Sequence, residues 1–229
     1  PEQKEGYFLR IQPKEIVLAG NDEQGTFYAL QTLEQLLKDN QLPVADITDY
    51  PEITFRGVVE GFYCAPWSHE ARLRHLKFYG QNKMNTYIYG PKDDPYHSSP
   101  NWRLPYPEQE AKQIKELVQI AKENAVNFVW AIHPGKDIKW NQEDRDNLLG
   151  KFNKMYDLGV RSFAVFFDDI SGEGTKADKQ AELLNYIDEQ FVKVKKDVTP
   201  LIMCPTEYNK SWSNVKGGYL TTLGTKLNP

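Results

Sequence analysis

The sequence predicts an α/β protein: an incomplete (β/α)8 TIM barrel of about five βα units, preceded by the end of a small α+β domain. After residue 51, short apolar runs alternate with helical segments, which is typical of βαβ units and a parallel sheet. No glycine-rich phosphate-binding loop follows the first run, which disfavours a dinucleotide-binding sheet. Polar residues gather after nearly every run, where barrels place their active sites.

Residues 1–50 have a different pattern from the rest and predict the C-terminal part of a small α/β domain plus a linker. Two short β patterns cover Gly6–Ile11 and Glu15–Ala19. Apolar residues at helical spacing then predict a helix over Thr26–Leu37, with Asn21 or Asp22 as its N-cap. Prolines 43 and 51 bracket the predicted linker.

Residues 51–229 predict the first part of the barrel. The strands are predicted at Phe55–Phe62, Thr86–Gly90, Phe128–Ile132, Ser162–Phe167 and Pro200–Cys204, and the helices at Glu70–Asn82, Pro107–Asn124, Gln142–Leu158 and Lys179–Lys195. The strands are continuously apolar, as strands buried on both faces are. A closed barrel of this class needs eight strands, so we expect the rest to lie beyond this sequence.

Composition excludes several classes of protein. Hydrophobic residues make up 40% and charged residues 26% of the chain, which is ordinary for a globular protein. The net charge of −4 comes without a basic stripe, which argues against nucleic acid as the main partner. No run approaches the roughly eighteen apolar residues of a membrane helix. Two cysteines are too few for a disulfide scaffold.

Asp168 and Asp169 are the strongest catalytic candidates, because they follow the apolar run Phe163–Phe167 directly. Neighbours on a regular strand point to opposite faces, so both can reach one ligand only where the backbone leaves the ladder. An apolar wall and a like charge favour one protonated and one ionised carboxyl, which general acid catalysis requires. The alternatives are a turn pair and a metal site completed by another strand-end residue: Glu60, Asp93, Asp94, Glu207 or His133.

Other strand-end residues divide into ligand candidates and structural residues. Lys92 and Tyr208 are hydrogen-bond donors for a sugar or, equally, a solvated lysine and a core-edge tyrosine. Trp102 and Trp212 lie in predicted loops and are candidates for contacting ligand. The remaining residues are interpreted as structural: Asp93 and Asp94 as turn residues, His133 as a strand-end residue, Trp130 as core, and Cys204 as a pocket wall rather than a nucleophile.

Four motifs together resemble the O-GlcNAcases, family 84 of the glycoside hydrolases, and the bacterial members most. They are Arg56–Tyr63 with Pro66-Trp67, Asn85–Tyr96, Phe166–Ile170 and Cys204–Tyr208. The resemblance is collinear from about residue 6 onward. It implies a retaining β-N-acetylglucosaminidase that acts on glycoproteins or glycoconjugates bearing N-acetylglucosamine and needs no metal or organic cofactor. It also suggests secretion or a periplasmic location if the source is bacterial.

The resemblance implies substrate-assisted catalysis, in which the substrate's 2-acetamido oxygen is the nucleophile and an oxazoline forms. Asp168 would orient the acetamido N–H, and Asp169 would protonate the leaving oxygen and later deprotonate water. The implied substrate-binding residues are Gly61, which offers its backbone, Lys92 and Tyr208, which hydrogen-bond the sugar, and Tyr63 and Cys204, which wall the acetamide pocket.

Two departures from the family pattern matter. Cys64 stands where the family usually has glycine, and cysteine avoids positive φ far more than glycine does. If that position requires positive φ, we expect Tyr63 and Trp67 to be displaced. The family's later strands carry an Asn and an Asp that hold outer sugar hydroxyls, and those positions would lie beyond residue 229. The isolated chain is therefore expected either to be inactive or to bind sugar without turnover.

Overall fold

The computed structural model describes residues 2–209, 211–212 and 218–228. Its first sheet has the order β2-β1-β3 and is formed by β1 (Tyr7–Gln12), β2 (Glu15–Gly20) and β3 (Ala45–Asp49). Both neighbours of β1 are antiparallel to it. Helix α1 (Glu23–Leu36) begins at Asp22, whose carboxylate accepts the amide N–H of Gly25, so the predicted N-cap is confirmed.

The predicted linker between Pro43 and Pro51 is wrong, because most of it is strand β3. The segment Ala45–Asp49 alternates partly buried and exposed residues and pairs with β1 from Tyr7↔Asp49 to Ile11↔Ala45. Its side chains include two aspartates and a threonine, so its apolar content is low. Such a short, half-exposed edge strand carries little of the apolar alternation that identifies a strand in a sequence.

The second sheet has the order β4-β5-β6-β7-β8, and the predicted strand–helix alternation is confirmed. Its strands are β4 (Gly57–Glu60), β5 (Thr86–Tyr89), β6 (Asn127–Ile132), β7 (Ser162–Phe166) and β8 (Ile202–Cys204). Between and after them come α2 (His69–Gln81), α3 (Glu108–Glu123), α4 (Gln142–Asp157), α5 (Ala177–Ile187) and α6 (Tyr219–Lys226). The pairs β6–β7 and β7–β8 are parallel. Among the described residues the sheet forms an open half-barrel.

Strands β6 and β7 are buried on both faces, as their continuous apolar sequence predicts. One face contributes Val129, Ala131, Ala164 and Phe166 to an inner cluster, against which Ile88, Ile202 and Cys204 pack. On the other face, Trp130 and Phe163 contact the ring of Phe152 on α4, at centroid distances of 6.0 and 4.9 Å. The inner face is therefore apolar along β6 and β7, and polar residues follow at the C-terminal ends of these strands.

By contact density the chain divides into two compact units. One comprises Pro1–Val58, Glu70–Thr86 and Ile120–Asn127, and the other Val59–His69, Tyr87–Gln119 and Phe128–Pro229. This division cuts through the strands β4, β5 and β6, so the predicted boundary near residue 50 stays a prediction. No helix in the described part of the chain is long and apolar enough to cross a membrane.

Inside the first unit, a buried polar cluster joins the N-terminal segment to the residues before β4 and β5. Glu5 pairs with the guanidinium of Arg56 and accepts a hydrogen bond from the amide of Asn85 at 3.0 Å. The ring of Tyr28 lies under the same guanidinium, and burial raises its pKa to about 12. The cluster fixes the start of two strands whose other ends carry candidate site residues.

Candidate active site

The alternation of strand β7 directs Asp168 toward the inner face of the half-barrel. Ala164 and Phe166 belong to the inner cluster, and Asp168 is the next residue of the same parity. Its side chain is only 17% exposed, and its Oδ2 lies 2.6 Å from the Lys92 ammonium. The lysine side chain is itself 2% exposed, so it is a buried ion-pair partner rather than a solvated loop residue.

Asp169 reaches the same region because its backbone leaves the extended conformation. Its φ is +53°, in the left-handed region that aspartate tolerates better than most residues. Its Oδ2 accepts a hydrogen bond from the hydroxyl of Tyr63 at 3.3 Å. A regular strand would point the side chains of Asp168 and Asp169 to opposite faces. The left-handed backbone at Asp169 instead brings both side chains close to the same neighbours.

The charges of both carboxylates raise the pKa values of three neighbouring side chains, Tyr63, Tyr208 and Cys204. The pKa of Tyr63 is raised by burial first and then by the negative charges of Asp169 and Asp168. The pKa of Tyr208 is raised by the same causes in the same order. Burial raises the pKa of the Cys204 thiol to about 11, with a further contribution from the charge of Asp168. A thiol with this pKa stays protonated at neutral pH, which suits a pocket wall rather than a nucleophile.

His133 contacts the backbone of the acid pair, and this contact was not predicted from the sequence. It directly follows β6, is fully buried, and its Nε2 lies 2.6 Å from the backbone carbonyl oxygen of Asp168. Burial first, and then the charge of Lys92, lowers its pKa. The signal that could have found this contact is the parallel pairing of β6 and β7, which brings the residues after both strands to the same edge.

The remaining candidates occupy the surroundings of the acid pair. Gly61 is half-buried just after β4, where a Cβ atom would lie 3.3 Å from Val59. The ring of Tyr208 is 51% exposed and contacts Trp212, itself exposed, at 5.0 Å. The Lys136 ammonium lies 5.9 Å from the centroid of the Tyr63 ring, a contact that no sequence motif indicated.

Comparison with known proteins identifies the family. The sequence profile of the family described as beta-N-acetylglucosaminidase matches residues 56–229. The chain belongs to this family. Residues 1–50 match domain 2 of glycosyl hydrolase family 20. This chain is therefore a homologue of the family 84 O-GlcNAcases, and the resemblance seen in its four motifs is confirmed.

Individual relatives of the family agree in sequence and fold. The chain is 36% identical to protein O-GlcNAcase of Rattus norvegicus over 182 residues, covering 76% of this chain and 20% of that protein. It superposes on CpGH84B with a TM-score of 0.92 and 45% identity, covering 99% of this chain and 41% of the other. The O-GlcNAc hydrolase of Thermobaculum terrenum, solved as a mutant, gives 0.69 and 34%, covering 76% and 39%. The chain thus spans less than half the length of these family members.

Cys64, at the position where the resemblance implied a glycine, lies in the left-handed region. The φ of Cys64 is +74°, so the cysteine adopts the conformation that its side chain disfavours. Tyr63 nevertheless reaches Asp169, and Trp67 contacts the ring of Phe62 at 5.4 Å and donates its backbone N–H to Glu60. The chain therefore accommodates the cysteine in the glycine's backbone conformation.

Trp102 is not a ligand contact, so that prediction is wrong. It is fully buried, its indole N–H donates to Asp137 Oδ1 at 2.7 Å, and the guanidinium of Arg103 lies 4.2 Å from its ring. Loop position in the sequence gave no information about burial. Asp94, by contrast, is a turn residue as predicted: its Oδ1 accepts the backbone N–H groups of Tyr96 and His97, at 2.8 and 3.2 Å.

The metal alternative finds no ligand set in the part of the chain that the structure describes. No group of three His, Cys, Asp or Glu side chains there is arranged to hold a metal ion. Glu60, one of the proposed third ligands, is fully buried and instead accepts hydrogen bonds from the hydroxyl of Tyr87 and the backbone N–H of Trp67.

Proposed function

We propose that the protein encoded by the complete gene is a retaining β-N-acetylglucosaminidase that uses the substrate's own acetamido group as nucleophile. The observation that carries the proposal is that two consecutive acids lie near the same side chains: Asp168 pairs with Lys92, Asp169 accepts from Tyr63, and the charges of both raise the pKa values of Tyr63 and Tyr208. Family membership supplies the substrate class, because relatives are named for β-N-acetylglucosamine or O-GlcNAc hydrolysis. The natural substrates would be glycoproteins or glycoconjugates that bear this sugar.

In the first step the acetamido carbonyl oxygen attacks the anomeric carbon as the glycosidic bond breaks. Asp168, held by the Lys92 ammonium at 2.6 Å, accepts the acetamido N–H and stabilises the positive charge that develops on the closing ring. Asp169 gives its proton to the leaving oxygen. The product of this step is an oxazoline and a free aglycone.

In the second step water opens the oxazoline. Asp169, now ionised, takes a proton from the attacking water, and the anomeric carbon returns to its original configuration. The hydroxyl of Tyr63, 3.3 Å from Asp169, holds this carboxylate in place through both steps. Gly61, Tyr208 and Cys204 line the sugar and acetamide positions around the acid pair, and Lys92 contacts a hydroxyl close to the ring.

The product's first-formed anomer tests this proposal. Proton NMR of an aryl β-N-acetylglucosaminide incubated with the complete protein should show the β-anomer of N-acetylglucosamine before mutarotation. Successive fluorination of the acetamide should also slow hydrolysis steeply, because it weakens the nucleophile. Initial release of the α-anomer, or rates indifferent to fluorination, would contradict the mechanism.

A second candidate is that the 229-residue chain alone is a catalytically incomplete, sugar-binding fragment. The five strands described in its second sheet and its 41% coverage of CpGH84B favour this candidate for the isolated chain. The isolated chain should then bind N-acetylglucosamine weakly in a calorimetric titration and turn over the aryl substrate far more slowly than the complete protein. Equal turnover by the two proteins would eliminate it.

A further inference from the structure

His133 makes its one side-chain hydrogen bond in the described structure to the backbone of the acid pair. Its Nε2 lies 2.6 Å from the carbonyl oxygen of Asp168 and 3.6 Å from Oδ1 of the same residue. A carbonyl oxygen only accepts hydrogen bonds, so Nε2 carries the proton. Nδ1 has no hydrogen-bond partner among the described residues.

The surroundings of His133 keep the ring neutral. Burial and the charges of Lys92 and Lys136 lower its pKa, while the bond to the Asp168 carbonyl and the Asp168 carboxylate act in the opposite direction. His97, which packs beside it at a ring distance of 6.1 Å, is fully buried and has its own pKa lowered to about 4. His133 is therefore a neutral, fixed N–H donor at neutral pH.

The carbonyl that His133 holds belongs to the peptide group joining Asp168 to Asp169. Rotation of this peptide plane changes ψ of Asp168 and φ of Asp169 together, so it redirects both carboxylates. The plane is held in an uncommon state, since Asp169 has φ of +53°. From the other side, the Thr206 hydroxyl donates to the carbonyl of Phe167 at 2.7 Å. The two bonds fix successive carbonyls at the end of β7.

We propose that His133 is a positioning residue for the acid pair, which it aligns by fixing the Asp168–Asp169 peptide plane. The inference rests on the proposed hydrolase function and adds to it a residue outside the substrate pocket. His133 transfers no proton in the reaction, because its N–H is committed to the carbonyl. Its contribution is geometric, and small misplacements of reacting groups cost on the order of 100-fold in rate.

Three variants of the complete protein test the proposal kinetically. His133→Leu removes the donor, whereas His133→Gln places an amide N–H near the position of Nε2. His97→Leu controls for the loss of a buried histidine in the same region, because His97 is equally buried but its Nδ1 contacts the carbonyl of Ala131 rather than that of Asp168. Urea unfolding measures how much each variant is destabilised.

We expect His133→Leu to lower kcat by roughly 10- to 100-fold on aryl β-N-acetylglucosaminides with both good and poor leaving groups, with little change in KM. His133→Gln should recover most of this loss. His97→Leu should be destabilised to a similar extent with a smaller loss of kcat. A folded His133→Leu enzyme with unchanged kcat, or a glutamine variant as impaired as the leucine variant, would overturn the proposal.

Nitrogen NMR of the histidine rings separates this inference from the proposed function. In the unmodified protein, His133 should show a neutral ring protonated on Nε2 that persists below pH 6.5, because its pKa is lowered. If the complete protein hydrolyses no aryl substrate, the hydrolase proposal fails and the kinetic arm with it. A His133 ring protonated on Nδ1, or one that titrates at an ordinary pH, would reject the positioning bond even in an active enzyme.

Discussion

At the residue scale, two left-handed residues shape the candidate site, and they differ in cost. Asp169 at φ +53° belongs to a residue type that adopts this region more readily than most non-glycine residues. Cys64 at φ +74° does not, and such positions store about 1–3 kcal/mol of strain. The strain that is useful for aligning the acids therefore lies at a tolerant residue, whereas that at Cys64 has no compensating contact in the described structure.

Replacing Cys64 with glycine should stabilise the chain by about 1 kcal/mol, because glycine adopts positive φ freely. The measurement is the midpoint of urea unfolding. Ala65→Gly is the control, since Ala65 is an exposed neighbour without positive φ, and it should destabilise by about 0.5 kcal/mol. A lower midpoint for Cys64→Gly would show that the thiol, rather than the backbone, determines stability there.

The sequence predicted that both acids reach one ligand where the backbone leaves the ladder, but only the direction of Asp168 follows from strand alternation. Period-two alternation along the apolar strand is enough to place Asp168 beside Phe166 on the inner face. The turn that redirects Asp169 depends on a single backbone angle, which the residue type permits but does not dictate. Burial of Trp102 and of Lys92 was equally hidden, since each depends on partners more than thirty residues away.

At the scale of elements, the loops that follow β6 and β7 are in close backbone contact. A Cβ atom on Gly174, which lies in the one-turn helix Gly172–Thr175, would stand 1.9 Å from the carbonyl oxygen of Gly135. The indole N–H of Trp140 also donates to the carbonyl of Glu173 at 3.2 Å. These contacts hold together the two loops from which His133 and the acid pair emerge.

Gly174→Ala should therefore separate the loops and destabilise the chain by roughly 2 kcal/mol or more, because the clash is with backbone. It should also lower kcat in the complete protein. Gly150→Ala is the matched control: Gly150 lies in the middle of α4 with nothing within 4 Å of its Cβ position, so alanine should stabilise by about 0.5–1 kcal/mol. Equal unfolding midpoints for the two variants would contradict the close packing.

Strands with a continuous apolar sequence were predictable, and strand β3, which lacks such a sequence, was not. Every strand of the half-barrel was predicted within about three residues at each end, because an apolar run flanked by turn residues survives without tertiary information. Strand β3 was missed since its register is set by pairing with β1 rather than by its own composition.

At the scale of the whole molecule, His97 makes the stability dependent on pH. Burial is the main cause that lowers its pKa to about 4, with Lys92 and His133 acting in the same direction and Asp94 and the Ala131 carbonyl opposing. In the unfolded chain His97 binds a proton near pH 6.5, whereas in the folded chain it binds one only near pH 4. Stability is therefore lost as pH falls from about 6.5 to 4, by roughly 3 kcal/mol at the lower end.

The variant His97→Asn should lose this part of the pH dependence, since asparagine does not titrate but keeps an amide N–H near the position of Nδ1. The free energy of unfolding would be measured in urea at pH 7 and pH 4.5 for both proteins. Carboxylates contribute equally to the two chains, so the difference isolates His97. Identical pH dependence in both would show that His97 is protonated in the folded state.

The half-barrel could be predicted from the alternation of apolar strands and helices along the sequence. The family could be predicted from four short sequence motifs. The order of strands and the pairing of loops across the sheet, by contrast, depend on contacts that no local pattern contains. At this scale the chain spans 41% of the length of a relative such as CpGH84B. The catalytic account accordingly concerns the complete protein.

The central claim is that Asp168 and Asp169 act as a pair with different roles, and leaving-group dependence measures it directly. In the complete protein, Asp169→Asn should lower kcat/KM by about 100-fold or more on a poor leaving group and far less on a good one. Asp168→Asn should lower it by roughly 100-fold on both. Equal losses on both substrates for Asp169→Asn, or a near-normal rate for Asp168→Asn, would contradict the account.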